Sequence, residues 1–326
     1  IFGFAYAFFA ILQYVLSPTK IYGIYEQINA QPFGSFVNRH NFAAYIEMAI
    51  AVPLGLMFVG AVHKDKRLLY ITAIGLMGVA LLLSGSRGGL VALIAEVFFL
   101  LILTTETKSY GQLGLKAGLA VLLFATIIVG AMLVGGESSL TRIAETATSS
   151  DITTNRTHIW NVTIEVIKNH LPFGTGLGGY SVAYTQFDTF NGIERVEQAH
   201  NDYLQILTDA GIIGLIIAGF FAFKLFKTGV KNTKTPNTFR RGVAIGALAG
   251  CFAILVHSLF DFVLHTTAIT YLFITLVGLV IVSGNEFFDD IRDFDERRSR
   301  RRRQKEPASV TSIDEIKTKS KRKNSD

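Results

Sequence analysis

The sequence predicts an all-α protein, a polytopic transmembrane helix bundle with one long extracytoplasmic insertion that carries an amphipathic helix. Half of its 326 residues are hydrophobic and only 17% are charged, a balance too apolar for an ordinary soluble domain. Apolar windows of membrane-spanning length recur along the chain. Lysine and arginine concentrate in alternate connecting segments, which is typical of proteins that cross a bilayer repeatedly.

Eight apolar windows predict transmembrane helices, since a bilayer core takes about 20 residues per helix. They span residues 1–16, 42–62, 68–83, 88–103, 113–134, 210–226, 242–260 and 266–283. Pro53 lies within the second window and predicts a kink, which neighbouring helices can accommodate in a membrane. The chain opens inside an apolar stretch, so we expect further helices before residue 1.

The basic residues predict which connections face the cytoplasm, because short cytoplasmic loops are enriched in lysine and arginine. If the first span runs from the cytoplasm to the outside, most of the 31 Lys and Arg residues fall on the cytoplasmic side of the membrane. The chain then divides into transmembrane helices at 1–134, an extracytoplasmic insertion at 135–209, transmembrane helices at 210–283 and a basic, disordered cytoplasmic tail at 284–326. We expect this tail to lie near anionic lipid headgroups and not to bind nucleic acid.

The insertion is too long for a simple loop, so we expect it to carry structure of its own. Residues 157–170 place Ile159, Val162 and Val166 at helical spacing, and Pro172 follows them, which predicts an amphipathic helix ending at that point. We interpret it as a helix on the membrane surface, and the alternative is a helix packed within a small soluble subdomain. Both interpretations fit the pattern equally well.

The motifs of cofactor and metal chemistry are missing from the sequence. Cys251 is its single cysteine, so neither an intrachain disulfide nor a multi-cysteine metal site can form. Residues 174–179 match the spacing G-x-G-x-x-G, but the sequence predicts no strand before them, and we favour a glycine-rich turn. The sequence has no Walker lysine motif, H-E-x-x-H or G-x-S-x-G. We therefore predict no cofactor and no metal.

Two arginines stand at the ends of predicted spans. Arg39 precedes the second span and is either an interfacial anchor or a functional group. Arg87 lies in a short turn between two apolar windows, where a charge is costly unless it faces a polar cavity or a partner. This position favours a functional role for Arg87. Glu47 and Glu96 are its candidate partners.

His200 ends the insertion, directly before a span. Asn201 or Asp202 can cap the helix that follows, which leaves His200 either as a polar interfacial residue or as a general base. The sequence chemistry by itself favours neither role.

His257, Asp261 and His265 are spaced four residues apart and are predicted to share one helical face. At about 1.5 Å per residue the two histidines would stand about 12 Å apart, too far to bind one metal ion. We favour a polar stripe that lines a cavity, with Asp261 paired to a histidine or to an arginine.

Five stretches of the chain share the predicted outer side. They are GSFVNRHNFAAY at 34–45, SGSRGG at 84–89, the segment 156–180, HNDYLQ at 200–205 with AGIIG at 210–214, and HSLFDF at 257–262. In this order they resemble the O-antigen ligase and O-antigen polymerase superfamily of bacterial membrane glycosyltransferases. Each stretch alone is unspecific, and it is their order and common side that make the set specific.

The resemblance implies a metal-independent, inverting transfer of a glycan from undecaprenyl diphosphate to an acceptor hydroxyl. The reaction would take place on the outer face of the bacterial cytoplasmic membrane, in contact with membrane lipids. Carried over onto this sequence, the resemblance implies that Arg39 and Arg87 are the essential arginines of the family and that His200 is its essential histidine.

Arg156, His40 and Asp261 lie in the matching stretches and are further substrate-binding candidates. The acceptor is a lipid A core sugar in the ligases and a growing polysaccharide or a protein hydroxyl in their relatives, and we choose ligase first. A transporter or flippase for polysaccharide precursors is the alternative from another class, with the two arginines and residues 257–265 as its polar pathway. The sugar, the acceptor and the oligomeric state are not fixed by the sequence.

Overall fold

The computed structural model describes residues 1–27, 31–104, 156–189 and 195–284, with six further single helical positions between 114 and 129. The chain divides into two units, 1–284 and 285–326. The second unit, which contains the predicted basic tail, lies outside the described residues. The same holds for most of the predicted span 113–134 and for the insertion before residue 156.

The described part of the chain is predominantly helical, and its only strands are two short ones. Its elements are α1 (Phe2–Leu16), β1 (Lys20–Ile21), β2 (Tyr25–Glu26), α2 (Arg39–Val59), α3 (Lys64–Leu83), α4 (Arg87–Thr104), α5 (Arg156–His170), α6 (Tyr180–Thr185), α7 (Asp202–Asn232), α8 (Thr238–His257) and α9 (Thr267–Val282). The two short strands pair antiparallel, with Lys20 opposite Glu26.

Five of these helices are long and apolar enough to cross a membrane, namely α2, α3, α4, α7 and α8. The shorter apolar helices α1 and α9 accompany them. The prediction of an all-α, polytopic bundle is therefore confirmed. Helices α2, α7 and α8 begin earlier than their apolar cores, because the asparagines Asn38, Asn201 and Asn237 cap them. In α2, the Asn38 side chain accepts a hydrogen bond from the His40 N–H at 2.8 Å, and the helix runs without a break through Pro53.

Helices α2 and α8 pack backbone to backbone through small residues. Gly242, Gly246 and Gly250 recur at every fourth position of α8. A methyl group added at Gly55 of α2 would lie 2.5 Å from the Gly246 nitrogen, and one at Gly246 would lie 2.6 Å from the Ala51 carbonyl oxygen. Small residues permit this close approach, as they do between many membrane helices. The contact places the end of α8 beside the start of α2.

Apolar side chains flank α2 on two faces. One buried cluster joins α2 to α1, α3 and α4, and includes Phe42, Ile46 and Leu81. The other joins it to α7, α8 and α9, and includes Met48 and Leu276. Because α2 contacts most of the other long helices, its first turn has a fixed position at one end of the bundle.

Helix α7 is broken at Gly211, where φ is 62°. The break exposes carbonyl groups of the preceding turn, and the glycine-rich segment binds them. The Thr175 N–H donates to the Thr208 carbonyl at 2.7 Å. The Gly176 N–H donates to the Asp209 carbonyl at 3.0 Å. The segment 174–179 is thus a turn that docks on a helix break, as the glycine-rich-turn interpretation predicts.

Helix α5 buries its apolar face inside a small cluster. Val162 packs with Tyr180 and Tyr184 of α6 and with Ala199, the residue before His200. This packing agrees with the subdomain interpretation of the predicted amphipathic helix. It also fixes the segment that carries His200 against α5.

Candidate active site

Asp261 is the centre of a cluster of polar side chains at the end of the bundle where α2 and α4 begin. Its side chain is only 2% exposed. One carboxylate oxygen lies 3.0 Å from His200 Nδ1, and the other lies 3.1 Å from Arg156 Nη2 and 3.9 Å from His40 Nδ1. Four of the residues singled out by the sequence, which come from four separate segments, are thereby brought together.

The predicted helical stripe from His257 to His265 is wrong. Helix α8 ends at His257, and the loop 258–266 that follows turns away from the helix axis. Each of the three residues consequently meets a different partner. His257 Nδ1 lies 2.9 Å from Glu47 Oε2, and His265 Nδ1 lies 3.2 Å from Asp202 Oδ1. The predicted pairing of Asp261 with a histidine or an arginine agrees with the structure, in which it has both.

Asp202 is the reason why the loop leaves the helical path. Its carboxylate oxygen Oδ2 accepts hydrogen bonds from the Ser258 hydroxyl at 2.8 Å and from the N–H groups of Val263 and Leu264 at 3.1 and 3.2 Å. Backbone N–H groups bound in this way cannot continue a helix. The loop is therefore shaped by a carboxylate at the start of another helix.

The His200 backbone has a φ of 49°, which is uncommon for a residue with a side chain. The next residue, Asn201, caps α7 by accepting from the N–H groups of Tyr203 and Leu204. Its side-chain amide also donates to the Leu259 carbonyl at 3.0 Å. The cap of α7 is thus Asn201 and not Asp202, and it ties the turn at His200 to the loop that carries Asp261.

The hydrogen bond to Asp261 determines which nitrogen of the neutral His200 ring carries the proton. An ionised carboxylate can only accept, so Nδ1 of the ring donates and the basic lone pair of the neutral ring lies on Nε2. Within the described ranges the hydrogen bonds of His200 involve Nδ1 alone. Phe262 packs edge-on against the ring, with ring centroids 4.9 Å apart. A carboxylate that orients an imidazole is the arrangement used by hydrolases to prepare a general base.

Asp261 is ionised despite its burial. Burial by itself would raise the pKa of this carboxyl, but the hydrogen bond from His200 and the positive charge of Arg156 outweigh it and hold the pKa well below its ordinary value. Arg156 also donates to the Phe260 carbonyl. Because two of its donors are engaged by the loop, Arg156 fixes the position of Asp261 in this structure.

Arg39 and Arg87 are the first residues of α2 and α4. A hydrogen bond of 2.9 Å between His40 Nδ1 and Ser86 Oγ joins the two helix starts. The Ser86 hydroxyl also accepts from the Gly89 N–H at 3.2 Å, which caps α4. Helix N-termini carry a partial positive charge and exposed N–H groups, so this junction suits an anion.

The structure does not support Glu47 as a partner of Arg87, because that carboxylate pairs with His257 inside the bundle. Glu96 is fully buried, and neither of its oxygens has a hydrogen-bond partner among the described residues. It follows Arg87 by nine residues, which corresponds to about 14 Å along a helix. Nη1 of Arg87 is also buried, and it has no hydrogen-bond partner within the ranges that the structure describes.

Sequence reasoning did not single out Ser86 or assign Asp202 its role. A serine directly before an apolar helix is a cap signal that could have identified Ser86. No local signal identifies Asp202 as the anchor of a loop about 60 residues away, because that role depends on which segments meet in the fold.

Residues 72–219 match a family model described as O-antigen ligase. The matched range includes Arg87, Arg156, His200 and Asp202, whereas Arg39 and Asp261 lie outside it. No curated protein matches the chain. The family match confirms the resemblance to the O-antigen ligase superfamily.

Proposed function

We propose that this protein, whose residues 72–219 match the O-antigen ligase family model and whose long apolar helices can cross a membrane, ligates a glycan from undecaprenyl diphosphate to a lipid A core sugar. The reaction proceeds by inversion, without a metal, at the periplasmic face of the bacterial cytoplasmic membrane. The observation that carries the proposal is the His200–Asp261 pair beside the two arginine-led helix starts of α2 and α4.

In this proposal His200 is the general base. Asp261 holds the imidazole by Nδ1, so Nε2 accepts the proton of the acceptor hydroxyl as the hydroxyl oxygen attacks the anomeric carbon. The bond between the anomeric carbon and the diphosphate oxygen breaks, and the diphosphate leaves with the electron pair. Attack from the face opposite the leaving group inverts the anomeric configuration. General-base catalysis of this kind contributes about 10²- to 10⁴-fold.

Arg39 and Arg87 stabilise the leaving group in this mechanism. Negative charge builds on the diphosphate as the bond breaks, and a guanidinium can bind two phosphate oxygens at once. The N-termini of α2 and α4 add N–H donors and a partial positive charge at the same place. Preorganised donors of this type are each worth about 10²- to 10³-fold in rate. His40 and Ser86 hold the two helix starts together.

The periplasmic location is proposed from the distribution of charge. Asn232 and Arg240 bind the carbonyls of Val280 and Ser283, so these residues mark the bundle end opposite Asp261. The end of α7, the connection and the start of α8 together carry six basic residues, Lys224, Lys227, Lys231, Lys234, Arg240 and Arg241. Cytoplasmic loops are enriched in these residues, which leaves the Asp261 end facing the periplasm.

The test is a transfer assay with purified protein, undecaprenyl-diphosphate glycan and lipid A core in the presence of EDTA. We expect product with the wild-type chain and a loss of at least about 10²-fold in His200→Ala and Arg87→Ala. Arg87→Lys should also be poor, because lysine lacks the planar fork. His63→Ala and Arg67→Ala, at the far end of α3, are matched controls that should retain activity. Retained turnover in His200→Ala would remove that residue from the mechanism.

The acceptor is tested in the same assay. Transfer to a polysaccharide or to a protein hydroxyl, and not to lipid A core, would identify a polymerase or an O-oligosaccharyltransferase instead. Movement of the lipid-linked glycan across vesicles, without transfer to any acceptor, would support the transporter alternative.

A further inference from the structure

A cavity of about 310 Å³ lies between α6, the segment before His200 and the first half of α7. Its walls combine apolar surface with polar side chains, which include Tyr180, Ser181, Glu197, Gln198, Asp209 and His265. Pockets that hold small ligands span about 300–1,000 Å³, so the cavity has room for a ligand of one or two sugar rings. The transfer mechanism assigns no task to these residues.

Two buried oxygens in the walls lack a donor. Gln198 Oε1 and Asp209 Oδ1 are inaccessible to solvent and have no hydrogen-bond partner in the described part of the chain. Asp209 is only 7% exposed, and its other oxygen accepts from Gln205 Nε2 at 3.0 Å. An unsatisfied buried acceptor costs about 1–3 kcal/mol, which favours a side-chain rotation that brings the oxygen to the cavity surface, where a ligand hydroxyl can donate to it.

Groups of both charges surround the cavity. Glu197 and Asp209 are acidic, whereas Arg195 binds the Ser181 hydroxyl at 2.8 Å. The hydrogen bond that His265 donates to Asp202 raises the pKa of His265 above its ordinary value and so favours its positive form. A site with both signs of charge and unsatisfied acceptors suits a neutral, hydroxyl-rich ligand better than an isolated cation or anion.

The cavity shares its walls with the His200 site. Gln198 precedes His200 by two residues, and the intervening Ala199 is held by Gln205 Oε1 at 2.8 Å and by Trp160 Nε1 at 3.0 Å. On the other side, the loop 258–266 presents Asp261 to His200 and His265 to the cavity. A ligand in the cavity therefore lies on the same two segments that position the proposed base.

We propose that this cavity binds a sugar residue of the acceptor glycan through its hydroxyl groups, and so positions a hydroxyl of that glycan for His200. The cavity is a binding site in its own right, and its role in positioning the acceptor rests on the proposed ligase function. Gln198 and Asp209 are its principal acceptors of hydroxyl hydrogen bonds.

Binding is tested without donor, so that no transfer is required. The full chain in detergent is mixed with methyl glycosides of glucose, galactose and N-acetylglucosamine, and binding is measured by saturation-transfer NMR and by the fluorescence of Trp160, the single tryptophan. We expect wild type to bind at least one glycoside, and Gln198→Leu and Asp209→Asn each to bind it about tenfold more weakly. Gln186→Leu, at the exposed end of α6, is the matched control and should bind like wild type.

Absence of glycoside binding in wild type, or equal binding in Gln198→Leu and wild type, would overturn the proposal. Preferential binding of ethanolamine or of inorganic phosphate, each tested alone, would also overturn it, since the cavity would then select a charge. Thermal unfolding of each variant checks that it is folded. Because Gln198→Leu and Asp209→Asn change different residues, the test still stands if one of the two variants fails to fold.

The same variants separate this proposal from the ligase function. In the transfer assay, Gln198→Leu and Asp209→Asn should raise the KM for the acceptor about tenfold and leave the KM for the donor unchanged. Glycoside binding by a chain that transfers nothing would refute the ligase function while leaving the sugar site intact. Normal transfer with no change in acceptor KM would refute the positioning role of the cavity.

Discussion

Asp261 and Asp202 are both buried aspartates that bind the Nδ1 atom of a histidine, at 3.0 and 3.2 Å respectively. Their remaining contacts differ. Asp202 binds a hydroxyl and two backbone N–H groups, all within the loop 258–266. Asp261 binds the Arg156 guanidinium of α5 and approaches His40 of α2, and it also accepts a hydrogen bond from the N–H of the adjacent Phe262 at 3.0 Å.

This difference separates a structural carboxylate from one that orients a reactive group. Bonds to backbone N–H groups fix the course of a chain, and their loss leaves buried donors without partners. Bonds to side chains from several segments fix the orientation of those side chains relative to one another. The Asp202–His265 pair therefore belongs to a contact that shapes a loop, whereas the Asp261–His200 pair orients the proposed base. Three substitutions test this distinction, and a fourth tests the helix junction beside Asp261.

The largest effect is expected from Asp261→Asn. The amide removes the charge that stabilises the protonated His200 and no longer imposes the tautomer with a basic Nε2. We expect kcat/KM for transfer to fall about 10³-fold, within the range of general-base effects, while the protein stays folded. Asp188→Asn, which changes another Asp–His pair at 3.0 Å, is the control and should lose little activity. A fall of less than tenfold in Asp261→Asn would contradict the orienting role.

Asp202→Ala should act on stability instead. The Ser258 hydroxyl and two N–H groups lose their acceptor, and we expect the free energy of unfolding to fall by about 3 kcal/mol. The measurement is the midpoint of unfolding in SDS, followed by far-UV circular dichroism. Asp65→Ala, in the first turn of α3, is the control. If Asp202→Ala lost transfer activity while its stability was unchanged, Asp202 would have a role in the reaction and not in the loop.

Ser86→Ala tests the junction between the two arginine-led helices. It removes the bond to His40 and the cap of α4, at a cost of about 1 kcal/mol in stability. We expect the KM for the diphosphate donor to rise several-fold, with the KM for the acceptor unchanged. Ser84→Ala, in the same turn, leaves the His40 bond in place and serves as the comparison. A rise in the acceptor KM alone would show that the junction does not hold the donor.

His265→Gln should have the smallest effect, visible as a change in pH dependence. The hydrogen bond to Asp202 raises the folded-state pKa of His265 above the unfolded value. The pair therefore stabilises the protein fully below the unfolded pKa, and this stabilisation is lost as pH rises through the folded pKa. His265 is 43% exposed, so solvent screening keeps the effect below about 1 kcal/mol. Between pH 5 and 9 the unfolding midpoint should change less with pH in the variant than in wild type. An identical pH dependence would contradict the assignment.

The boundaries of the helices show where local sequence information ends. The apolar windows identified the spanning helices because burial in lipid requires uninterrupted apolar length. They missed the first residues of α2, where Asn38 starts the helix before the apolar run begins. The four-residue spacing of His257, Asp261 and His265 predicted a helical face that does not exist. The periodicity of a segment carries no information about distant residues. It could not show that Asp202, from another helix, accepts hydrogen bonds from the backbone N–H groups of the loop 258–266.

The sequence by itself determined that the chain forms a membrane-spanning helix bundle and that it resembles the O-antigen ligases, since apolar length and motif order are read along one dimension. Only the tertiary structure decided that Asp261 meets His200 and Arg156, which are 61 and 105 residues away along the chain. It also formed the cavity beside His200, which brings residues between 177 and 209 together with the distant His265. Contacts of this kind depend on the close packing of α2 against α8 and on the course of the loop after α8, which no single stretch of sequence specifies.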